Sequence, residues 1–101
     1  MAGLRVSADR TWFDQQCAGA PDQLRERTTR YFIQAGDAGV LPRRLADSAR
    51  AALAAALAHP GDRSVALDLL AADALVTLAL KAQASSAPED LDRFAGELLR
   101  D

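Results

Sequence analysis

The stretch VALDLLAADALVTLALKAQA, residues 65–84, decides the fold. It holds neither Gly nor Pro, and its only charges are Asp68, Asp73 and Lys81. No period-2 alternation runs through it, so it reads as a helix over 64–84. Its apolar run is too interrupted for the roughly 20 residues of a membrane span, and central carboxylates are costly there. At about 100° per residue, Val65, Leu69, Val76 and Leu80 gather on one side. Leu67, Ala71, Ala74, Leu75, Leu78 and Ala82 gather on nearly the opposite side. Asp73, Thr77 and Lys81 form a polar strip between them, interrupted by Leu70. A helix apolar on two sides is the centre of a bundle or a seam between two chains.

The segments on either side supply the rest of the bundle. His59-Pro60-Gly61-Asp62-Arg63 is a tight connection, with Ser64 or Asp62 as cap of the helix that follows. Before it, residues 42–58 form an Ala-rich helix whose apolar face holds Leu45, Ala49, Ala52, Leu53, Ala56 and Leu57. So short a connection makes these two helices an antiparallel hairpin. Pro21 opens another helix over 21–35, with Leu24, Thr28, Tyr31, Phe32 and Ala35 on one face and Gly36 as its stop. A short first helix over 8–18 takes Ser7 as N-cap. The last, over 88–100, opens on a Ser86-Ala-Pro-Glu89 capping box and buries Leu91, Phe94, Ala95, Leu98 and Leu99. The expected architecture is all-α: a compact bundle of four main helices plus a short N-terminal one, built on a central antiparallel hairpin, in one domain over 1–101.

Composition narrows the function. The chain has 101 residues, and 23 of its apolar residues are Ala, which leaves 27 larger ones for a single core. Twelve cations against 14 anions give a net charge of −2, so the basic footprint of a nucleic-acid binder is missing. Cys17 and His59 are each the only residue of their kind, which argues against a disulfide and against a Cys/His metal site. No apolar run follows the charged first 14 residues, so a secretory signal is not expected and a cytoplasmic protein is. No cofactor is implied, since phosphate-binding Gly-rich loops are absent.

Asp68 and Asp73 are the candidate functional polar residues. Carboxylates in an apolar helix suit acid–base or metal chemistry. Five residues apart, however, they point about 140° away from each other and cannot share one ion. The favoured reading is structural, with Asp73 on the polar strip and Asp68 paired to an Arg of a neighbouring helix. His59 reads as a turn or cap residue and Cys17 as a buried thiol. Arg25, Arg27 and Arg30, then Arg43, Arg44 and Arg50, read as solvated faces laced with ion pairs. Ala71-Ala-Asp-Ala-Leu-Val-Thr-Leu-Ala79 resembles the Gly-Asp-Ala-Leu-Leu helix of isoprenoid diphosphate synthases, which are all-helical. Those enzymes carry two Asp-Asp-x-x-Asp motifs, and neither occurs here, so the resemblance is set aside.

With no catalytic motif in sight, the expected function is non-enzymatic: an interaction or scaffold domain that forms a homodimer, without nucleic acid or membrane as partner. The candidate surface is Trp12 and Phe13, aromatics of the kind that dominate hot spots, with Leu67, Leu75 and Leu78 on one side of the long helix. Trp12 and Phe13 also read as a lid on the chain's own core, and with so few large apolar residues that is the favoured reading of the two. The alternative function is a small-molecule or lipid-binding module, in which Ala71, Ala74 and Ala79 leave an apolar cavity against the Ala-rich helix.

Overall fold

A computed structural model describes residues 2–100; Met1 and Asp101, the ends of the expected domain, lie outside them. The chain is all-α, with no strand among the described residues. The helices are α1 (Ala2–Cys17), α2 (Asp22–Gln34), α3 (Leu41–Ala58), α4 (Ser64–Ser86) and α5 (Leu91–Leu99), with a 3-10 turn over Pro88–Asp90 before α5. None of them is long and apolar enough to cross a membrane.

The α3–α4 hairpin is the centre. Its interface is the most extensive in the molecule, and α2 packs on both of its helices while α5 packs on α4. The reason is side-chain size. Ala46, Ala49, Ala52 and Ala56 of α3 and Ala71, Ala72, Ala79 and Ala82 of α4 are all buried. Residues this small let two helix axes come close. Phe13, Phe32, Leu45 and Leu75 supply the bulk, and each is fully or almost fully buried. In the connection, Gly61 takes φ +88°, a left-handed conformation open to glycine at no steric cost. Asp62 then accepts the Ser64 N–H at 3.0 Å just ahead of α4, but the N-cap position belongs to Arg63, so neither Ser64 nor Asp62 is the cap residue expected. Those hydrogen bonds from Ser64 hold the Asp62 carboxyl below its ordinary range.

The two apolar sides of α4 are joined. Its buried residues are Asp68, Ala71, Ala72, Leu75, Leu78, Ala79 and Ala82, an arc that runs from one side to the other. Asp68, Ala72 and Ala79 fill the gap between the two sides, which is why side-chain hydropathy divides the face in two. Val65, Val76 and Leu80 lie half-buried at one edge, Leu67 and Ala74 at the other, and Leu69 and Leu70 are exposed.

Two helix starts differ from expectation. α1 begins at Ala2 rather than near residue 8, so Ser7 is no cap; it lies inside the helix, where its carbonyl accepts the Thr11 hydroxyl at 3.0 Å. The capping box at Ser86 does not form either. Ser86 belongs to the end of α4, where its hydroxyl donates to the Ala82 carbonyl at 3.0 Å. A serine one turn beyond a free carbonyl bonds back to it, and the 3-10 turn over Pro88–Asp90 starts the next helix instead.

Candidate functional site

Two buried polar assemblies fix how the helices sit. In the first, Asp68 of α4 is only 4 % exposed. Its Oδ1 accepts from Arg27 Nη1 and from the Tyr31 hydroxyl, the latter at 2.8 Å. Arg27 and Tyr31 are one turn apart on α2, so one helix face delivers both donors to one carboxylate. Burial, and then the hydrogen bond to Asp68, push the Tyr31 hydroxyl above its ordinary pKa. The sequence reading gave Asp68 an arginine partner but did not name Arg27, and it missed Tyr31. The i, i+4 spacing of Arg27 and Tyr31 was the available signal.

In the second assembly, Arg44 of α3 is 5 % exposed, not the solvated cation expected. Its Nε donates to the Gly36 carbonyl at 3.0 Å and its Nη1 to Asp9 Oδ2 at 3.2 Å. Its guanidinium lies 4.4 Å from the centroid of the Phe32 ring. Phe32 stacks in turn on Phe13, with centroids 4.2 Å apart and planes 6° from parallel. Cation, ring and ring form a three-layer stack drawn from α3, α2 and α1. No spacing within one helix encodes that stack, since each layer comes from a different helix.

Asp73 is exposed on the far side of α4, so Asp68 and Asp73 are not brought together. No group of three His, Cys, Asp or Glu able to hold a metal occurs among the described residues. Cys17 is buried, and burial followed by the nearby Asp14 pushes its thiol up, away from a reactive thiolate. His59 is exposed at the end of α3.

The expected interaction surface changes place. Phe13 and Leu75 are fully buried and Leu78 is 9 % exposed, so these three form core, not surface. Phe13 is covered by Phe32, and Leu75 and Leu78 join the cluster that α2 and α3 complete. Trp12 and Leu67 are half-buried. Leu4, Ile33, Val40, Leu69 and Leu70 are exposed at scattered places, and three further leucines gather at one place. Leu53 and Leu57 of α3 are 45 % and 71 % exposed, and Leu99 of α5 is 73 % exposed, although all three were expected on buried faces. With Ala72 and Val76 of α4 and Leu98 of α5 they line an open groove of about 320 Å³, bordered by Arg50 and Arg100. The groove is open because α5 is short. Nine residues reach roughly 14 Å, against roughly 27 Å for the 18 residues of α3.

A larger groove of about 580 Å³ lies between α1, the start of α3 and the end of α4, with Trp12 in its wall. Of the three alanines expected to leave a cavity, Ala71 and Ala79 are fully buried, Ala74 is half-buried, and none lines either groove.

Fold and surface define a small all-α bundle with a closed Ala-rich core and an open apolar groove. No protein-family model, no curated protein and no solved structure matches the chain.

Proposed function

We propose that the chain is a small, non-enzymatic interaction domain that self-associates through the groove of α3, α4 and α5. The observation that carries this reading is the set of exposed leucines around that groove: Leu53, Leu57 and Leu99. Their side chains gain from leaving water, at about 25 cal/mol for each Å² of apolar surface covered.

The surface area supports the reading. The chain exposes 6301 Å² at a mass of 10.7 kDa. A folded monomer of this mass exposes about 5,500 Å² by the usual scaling. The excess of about 800 Å² equals one partner's share of a standard interface.

Methyl NMR on the protein at increasing dilution tests this. The methyl resonances of Leu53, Leu57, Val76 and Leu99 should shift with concentration, while those of the buried Leu45 and Leu75 should stay in place. Concentration-independent methyl spectra would overturn the proposal.

A further inference from the structure

We propose that the groove beside Trp12 binds a small amphiphile with an apolar body and a single anionic head, such as a medium-chain carboxylate. Its volume of about 580 Å³ lies within the roughly 300–1,000 Å³ range of small-molecule sites. Trp12, Leu41 and Ala82 give it an apolar wall. Its side-chain amide and hydroxyl donors already bond to carbonyls of the protein itself. Gln83 Nε2 donates to the Ala87 carbonyl at 3.0 Å, Ser85 Oγ to the Lys81 carbonyl at 3.1 Å, and Ser86 Oγ to the Ala82 carbonyl at 3.0 Å. Asp9 holds Arg44 at 3.2 Å, so its charge is met from the far side.

One charged wall group remains unpaired among the described residues. Arg5 lies one helical turn before Asp9 on the same face of α1, and it has no carboxylate partner among the described residues. An apolar wall with one free guanidinium at its edge selects a ligand that is greasy along its length and anionic at one end. A neutral amphiphile would leave the guanidinium unused. A dianion would bring a second charge with nothing to meet it.

Trp12 is the only tryptophan, so its emission reports on this groove alone. Decanoate, kept below its micellar range, should cause a saturable blue shift of Trp12 emission with one molecule bound per chain. Decanol, with the same tail and no charge, should bind at least tenfold more weakly. Arg5→Gln should weaken decanoate at least tenfold and bring it level with decanol. Arg5 is exposed, so this variant should keep the wild-type circular dichroism. Absence of a saturable shift would overturn the proposal, and so would equal binding of decanoate and decanol to the wild type. Retention of decanoate affinity in Arg5→Gln would overturn it as well. Self-association through the other groove does not depend on any of these outcomes.

Discussion

Asp68 and its two donors show how uneven a buried ion pair is. Asp68 is almost wholly buried, whereas the Arg27 side chain keeps 20 % of its surface exposed. Arg27→Met would strand a buried carboxylate with Tyr31 as its only donor, and should cost about 3 kcal/mol in a urea melt. Asp68→Asn should cost less, because the released guanidinium can turn towards water. Equal losses, or the reverse order, would count against the clamp. Tyr31 adds a pH dependence. Its folded pKa lies above the ordinary 10.0, so the neutral phenol is favoured in the fold. The contribution is complete below pH 10 and is lost as pH rises through the folded value. Tyr31 is the only tyrosine, so its phenolate absorbance should titrate higher in the native protein than in urea. The partnership was half legible in sequence: an Asp in an apolar run demands a partner, but helix spacing alone cannot say which helix supplies it.

Among the elements, α1 is the most loosely held. It makes no extensive interface with another helix, and it is tied down through Phe13, Cys17 and the Asp9–Arg44 ion pair. Phe13→Ala should therefore cost about 3–5 kcal/mol and unravel α1 before the hairpin. Hydrogen exchange should show amides of residues 3–8 nearly unprotected and those of residues 71–79 protected to the global limit. Uniform protection along the chain would contradict this order. The hairpin was the most legible element, because a long apolar helix, an Ala-rich neighbour and a five-residue connection leave little choice of arrangement. Helix starts were less legible. Ser7 and Ser86 look like caps, yet one lies inside α1 and the other bonds back to Ala82. A serine has both options, and its surroundings decide between them.

For the whole molecule, the question is which apolar surface remains uncovered. Sequence placed the interface on Trp12, Phe13, Leu67, Leu75 and Leu78, but Phe13, Leu75 and Leu78 are core and the other two are half-buried. Apolar count along one helix says how much surface must be covered; the lengths of its neighbours say where coverage fails. Here α5 ends too soon, and Leu53, Leu57 and Leu99 stay in water. Leu57→Lys should change the stability of the isolated fold by no more than about 0.5 kcal/mol, yet abolish self-association. The direct test is absolute mass by light scattering after size exclusion, over a concentration series. Self-association predicts a mass rising to twice the 10.7 kDa chain in the wild type, and a constant 10.7 kDa in Leu57→Lys. A wild-type mass of 10.7 kDa at every concentration would contradict it.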